Sequence, residues 1–111
     1  MPAMIPAQEL AFVLRPNDPI LFRNRAKIHA VVHEYPSALQ DLERALAQLR
    51  PGDPRVVECL RERGIVRVSL GDLRGAERDF MAAIELTTDV ARLRALQAML
   101  GSVRKGIASG Q

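Results

Sequence analysis

The nine residues Ala38-Leu39-Gln40-Asp41-Leu42-Glu43-Arg44-Ala45-Leu46 return in altered form as Ala76-Glu77-Arg78-Asp79-Phe80-Met81-Ala82-Ala83-Ile84. Alanine, aspartate, a bulky apolar residue, alanine and an aliphatic residue fall at the same places in both copies, 38 residues apart. A unit that recurs in this way stacks its apolar face on its own copy, so the repeat points to a scaffold before it points to a catalyst. At 111 residues the chain is one domain, with room for two such units and little more. Trp is absent, and three Phe and one Tyr leave the core to Leu, Val, Ile and Ala. That mixture suits helix-on-helix packing.

Prolines, glycines and aspartates punctuate the rest. Residues 1–17 hold Pro2, Pro6 and Pro16 around the apolar stretch Leu10-Ala11-Phe12-Val13-Leu14, which fits a short strand or a helical turn equally well and reads as an N-terminal arm. Asn17-Asp18-Pro19 is a helix start, because Asp18 can cap free amides and Pro19, lacking an N–H, suits the first position. Leu21, Phe22, Ala26, His29 and Val32 recur at three- and four-residue steps, which predicts a helix to about residue 32. A second helix, about 36–49, carries Leu39, Leu42, Ala45, Leu46 and Leu49, and Pro36 biases Tyr35 away from the helical region before it. Arg50-Pro51-Gly52-Asp53-Pro54 breaks the chain and copies the Asp-Pro start. A third helix then runs to about residue 70, where Gly71 can take the left-handed conformation that closes a helix. A fourth covers 73–86, and a fifth, over 89–104, carries Val90, Leu93, Leu96, Leu100 and Val103; residues 105–111 should fray. The pattern predicts an all-α domain over 18–104, with antiparallel pairs at 18–49 and 54–86 and a capping helix at 89–104.

The small residues have a mechanical purpose. Ala38, Ala45, Ala76 and Ala83, with Ala26 and Gly64 on the preceding helices, let paired helices approach, while Leu42 and Phe80 fill the space beside them. This resembles the tetratricopeptide repeat (TPR), a helix–turn–helix unit with small and aromatic residues at fixed offsets. Phe22, Ala26, Tyr35, Ala38, Leu42 and Ala45 lie at motif positions in the first pair, and Gly64, Leu70-Gly71, Ala76, Phe80 and Ala83 in the second. The 38-residue spacing exceeds the usual length of about 34, with the surplus around Arg50 to Glu58. Arg25, Arg63 and Arg67 stand where apolar or aromatic residues are usual. Over about residues 14–86, Asn24 to Ile28, Ala38 to Arg44, Pro51-Gly52-Asp53-Pro54, Arg61-Glu62-Arg63-Gly64 and Leu70-Gly71 also resemble the tandem TPR tail of a bacterial transglutaminase-like family. The domain ahead of that tail, of a fold associated with Cys-His-Asp chemistry, is not in this sequence, so no activity carries over.

The TPR resemblance implies an α-α superhelix whose first helices line a concave face that receives an extended or helical peptide. Carried over residue by residue, that face holds Arg23, Asn24, Lys27, Ala30 and Val31 in the first pair, and Glu58, Arg61, Glu62, Ile65 and Ser69 in the second. Arg23, Asn24, Lys27 and Arg61 resemble part of the basic cluster by which some TPR proteins hold a terminal carboxylate. Glu58 and Glu62 would oppose an anion there.

The formal charge of +3 rests almost wholly on arginines, and these are interleaved with acids, as in Arg61-Glu62-Arg63 and Glu77-Arg78-Asp79. Solvated helix faces are the simpler reading, and nucleic acid is not the expected partner. Cys59 with His29 or His33 is the one nucleophile-and-base set available, and it lacks a glycine-rich elbow or telling spacing, so no enzyme is expected. His29 and His33 want a third metal ligand, no phosphate-binding glycine loop is present, and no cofactor is expected. The N-terminus lacks the pattern of a signal peptide, and no apolar run approaches the roughly 18 residues of a membrane span, which favours a cytoplasmic protein. The expectation is a non-enzymatic adaptor that binds a protein or peptide. Two and a half repeats fall short of the three or so a solenoid needs, which leaves room for a homodimer or for docking on a larger protein. The alternatives are an arginine-based nucleic-acid or anion-binding accessory protein, whose binding would fall steeply with salt, and a split tail of a transglutaminase-like protein.

Overall fold

The computed structural model describes residues 6–110. Over these the chain forms six helices: α1 (Ala7–Leu14), α2 (Pro19–Val31), α3 (Tyr35–Gln48), α4 (Arg55–Ser69), α5 (Leu73–Leu86) and α6 (Val90–Ser109). No strand occurs among the described residues. Aspartate side chains start four of the helices by accepting from an otherwise unpaired amide. Asp18 accepts from Ile20 N at 2.9 Å, Asp53 from Arg55 N at 2.9 Å, Asp72 from Gly75 N at 3.0 Å and Asp89 from Arg92 N at 2.8 Å.

The two turns inside the pairs are built alike. After α4, Gly71 takes φ 79°, and the amides of Gly71 and Asp72 donate back to Val68 O and Arg67 O. After α2, His33 takes φ 63°, and the amides of His33 and Glu34 donate to Ala30 O and His29 O. Both are left-handed closures that satisfy the last carbonyls of the helix. A left-handed His33, rather than a proline effect on Tyr35, turns the chain into α3, and Tyr35 is already helical.

α3 and α5 are both 14 residues long and lie in register at the 38-residue spacing. α4 is longer than α2, at 15 residues against 13, and the connection 49–54 ahead of it outruns the connection 87–89 ahead of α6. The excess over an ordinary repeat sits there. Ala38, Ala45, Ala76 and Ala83 are wholly buried where the paired helices cross. At Gly64 a Cβ would stand 2.7 Å from the Phe80 ring, so glycine is required opposite phenylalanine. In the first pair the smaller Leu42 faces Ala26, which is buried in the same cluster.

α6 closes the open edge of the second pair. Leu96, Leu100 and Val103 join Val57, Leu60 and Phe80 in one core cluster. The helix continues to Ser109 rather than fraying after 104, because Gly106 lies against Leu73, 3.2 Å from where its Cβ would be, and Ile107 packs on the same cluster. Val90, expected on the apolar side, is exposed. The N-terminal arm holds a helix, α1, anchored by Phe12, whose ring centroid lies 5.1 Å from that of Phe22. Residues 1–5 of that arm, and Gln111 of the tail expected to fray, lie outside the described residues. Helices pack chiefly on their neighbours in sequence, giving an elongated body of 57 × 31 × 21 Å.

Candidate functional site

The arginines that depart from the TPR pattern are held by the repeated aspartates. Arg25 of α2 donates through Nε and Nη2 to the two carboxylate oxygens of Asp41, at 2.8 and 2.7 Å. In the second pair Arg63 donates in the same fork to Asp79, and Arg67 adds a further bond at 2.9 Å. Asp41 and Asp79 are the buried acids of the molecule among the described residues, each 2 % exposed, and a buried carboxylate requires such partners. His29 stands where Arg67 stands in the other pair, 3.6 Å from Asp41 and 3.0 Å from Glu34. The hydrogen bond to Asp41 raises the Arg25 pKa above its ordinary value. These groups lock helix to helix and are not available to a ligand.

The inner face is a different surface. Arg23, Lys27, Arg61, Glu62 and Ile65 line a cleft of about 200 Å³ between α2 and α4, floored by Ala26, Leu42 and Val66. Ile65 also borders a second recess, of about 340 Å³, where α4 meets α5 and α6. Val68, Phe80 and Met99 make that recess apolar, and only Ser69 and Ser102 offer polar atoms. The two recesses share Ile65 as a common border.

Of the residues read from the sequence, Arg23, Lys27, Arg61 and Ile65 meet at the first cleft. Glu58 lies beneath an ion-pair network with Arg23, Arg61 and Arg92. Asn24 and Val31 are exposed on α2 and are not part of the cleft wall. Lys27 belongs to no ion pair among the described residues. Met99 and Ser102 of the second recess, and Arg92 of the ion-pair network, are not among the residues read from the sequence.

Cys59 is packed with Phe22 and Ala45, and burial, with Glu62 adding to it, pushes its thiol pKa up and disfavours the thiolate a nucleophile needs. His33 is taken up by the Tyr35 hydroxyl at 2.6 Å. No described helix is long and apolar enough to cross a membrane.

Among solved structures the chain resembles the first TPR of Spaghetti (RPAP3) bound to an HSP90 peptide, SRMEEVD, with a TM-score of 0.76. Its fold is that of a TPR domain. The likeness covers 91% of this chain and 75% of the other at 22% sequence identity. No family model and no curated protein matches the chain, and the narrower resemblance to a transglutaminase-like tail gains no support from these comparisons.

Proposed function

We propose that this TPR domain is a non-enzymatic interaction module that takes a segment of another protein along its inner face. The observation that carries the reading is the pair of concavities that meet at Ile65, one between α2 and α4 with an apolar floor and one apolar throughout where α4 meets α5 and α6. Concave surfaces that combine apolar walls with a few polar groups are where chains of this shape hold ligands. The TPR of Spaghetti, seen with a peptide bound, shares the fold and so supports the mode of use. Arg23, Lys27, Arg61 and Ile65 form the contact surface, with Asn24 and Val31 at its margin and Glu58 fixing the arginines from below.

The arginine-based alternative is weaker. Arg15, Arg23, Arg25, Arg55, Arg61, Arg63, Arg67, Arg92 and Arg104 are all paired with carboxylates, so more than half of the 16 Lys and Arg are already neutralised by the protein itself.

Selection of displayed peptides on the purified protein, followed by binding isotherms of the selected sequences, tests the proposal. The selected peptides should bind wild type and lose at least about tenfold in affinity with Ile65→Glu, a charge buried against apolar groups, while Arg78→Ala on the opposite surface leaves them unchanged. Equal binding by the Ile65→Glu protein would place the ligand elsewhere.

A further inference from the structure

Three cations reach one carboxylate from three helices. Arg23 Nη2 of α2 lies 3.4 Å from Glu58 Oε2, Arg61 Nη2 of α4 lies 3.1 Å from the same oxygen, and Arg92 Nε of α6 lies 3.0 Å from Oε1. Glu62 holds Arg23 more closely, accepting from its Nε at 2.7 Å and lying 2.5 Å from the same Nη2. The Glu58 side chain is 19% exposed, against 24%, 28% and 40% for Arg23, Arg61 and Arg92, so the acid is the most covered member of the group. Burial pushes the Glu58 carboxyl up, and Arg61, Arg92 and Arg23 together more than offset it, holding the group below its ordinary value of 4.5 and ionised at neutral pH.

Three guanidiniums drawn from separate elements to a single point are the arrangement that binds a carboxylate. Here the carboxylate is the protein's own. A ligand acid arriving at the same donors would have to displace Glu58 and would then stand beside Glu62, and like charges at such separations repel. Lys27 alone is left to attract an anion, and one exposed cation in water contributes little. The recess bordered by Ile65, Val68 and Met99 meets no such obstacle, since no charged side chain lines it.

We propose that Glu58 is a built-in occupant of a carboxylate site formed by Arg23, Arg61 and Arg92. The inner face therefore refuses acidic chain ends and grips its ligand through an apolar side chain in the recess beside Ile65. Glu58 is on this view the residue that sets ligand class, and it ties α2, α4 and α6 together while doing so. The inference rests on the inner face being a peptide site, and its test is arranged so that the two can fail separately.

The probe is the labelled peptide SRMEEVD, which carries two glutamates and an aspartate and is seen on the structurally similar TPR, prepared with a free and with an amidated C-terminus. Fluorescence anisotropy with wild type should show weak binding and no preference between the two forms. Glu58→Gln keeps the shape and removes the charge; it should bind the free acid at least about tenfold more tightly than wild type, prefer it to the amide, and lose that gain in about 0.5 M salt. Because this variant leaves Arg61 and Arg92 short of a partner, Glu58→Gln/Arg92→Gln is measured beside it and should show a smaller gain of the same kind. Wild-type binding that already depends on the terminal carboxylate would overturn the proposal, as would folded variants that gain nothing. If wild type and Ile65→Glu select the same peptides, the peptide-site reading fails, while a gain on removing Glu58 still establishes what that residue occupies.

Discussion

Gly64 and Phe80 show how closely one side chain constrains another across a helix pair. A methyl group at 64 would press into the buried ring of Phe80. Gly64→Ala should therefore cost about 1–3 kcal/mol by overpacking. The first pair supplies the remedy, because Ala26 sits there with leucine at 42. Combining Gly64→Ala with Phe80→Leu should cost less than the sum of the single changes, and a double-mutant cycle in urea unfolding measures the coupling. A strictly additive result would mean that the two sites relax independently. His33 presents the opposite case, a residue with a Cβ in the left-handed region that its counterpart Gly71 occupies freely. His33→Gly should stabilise by roughly 0.5–1 kcal/mol even with the contact to Tyr35 lost, and Gly71→Ala should destabilise by about 1 kcal/mol, both read from urea midpoints.

At the level of helices, each pair is cross-linked by one buried aspartate, with unequal partners. Asp79 holds Arg63 and Arg67, whereas Asp41 holds Arg25 and has only a histidine in the second place. Removing an acid strands its cations, and these arginines are about a fifth exposed, so water relieves part of the penalty. Asp79→Ala should cost about 2–3 kcal/mol, and Asp41→Ala less, in thermal unfolding followed by circular dichroism. The reverse order would mean that packing around the acids, not charge, decides. The start of α4 responds to acid through Asp53, whose side-chain bonds from Arg55, joined by the Arg55 amide, hold its carboxyl at about 2 against an ordinary 3.8. A depressed carboxylate contributes stability above the unfolded value and loses it as protons bind the folded form. The Asp53 contribution is thus complete above pH 3.8 and disappears as the pH falls through about 2. A side-chain carboxyl titration by NMR should place the Asp53 midpoint near 2, and a midpoint at the ordinary value would show that the Arg55 contact does not persist in solution.

Across the whole molecule, a line of helices bound mostly to their sequence neighbours is no more stable than its ends allow. α6 covers Val57, Leu60 and Phe80, while α1 contributes little beyond Phe12. Truncation after Thr88 should therefore abolish cooperative unfolding and expose apolar surface that binds a hydrophobic dye. Removal of residues 1–15 should lower the melting temperature by only a few degrees, on the order of 1 kcal/mol for a domain of this size. Sharp, cooperative melting of the chain lacking α6 would show that the pairs stand alone. The same end helix supplies Met99, Ser102 and Val103 to the recess beside Ile65, so that recess is a property of α4, α5 and α6 together and of no single repeat.

The sequence by itself determined the helices, their pairing and the fold, because Asp and Pro at the starts, Gly71 at a stop and alanines at 38-residue spacing are local signals that act wherever the chain goes. The expectation that Arg23, Lys27, Arg61 and Ile65 share a face came from the TPR resemblance, because periodicity relates residues within one helix and not across two. Tertiary structure decided the rest. The left-handed turn at His33 is imposed by the packing of α2 on α3, against the preference of a residue with a Cβ. The helix past residue 104 exists because Leu73 and the second-pair core lie within reach of Gly106 and Ile107. Whether an arginine is a lock, as Arg25 and Arg63 are, or a surface group, as Arg92 is in part, depends on which carboxylate the fold brings to it. Burial and distance between remote residues set that outcome, and no property of the arginine itself reveals them.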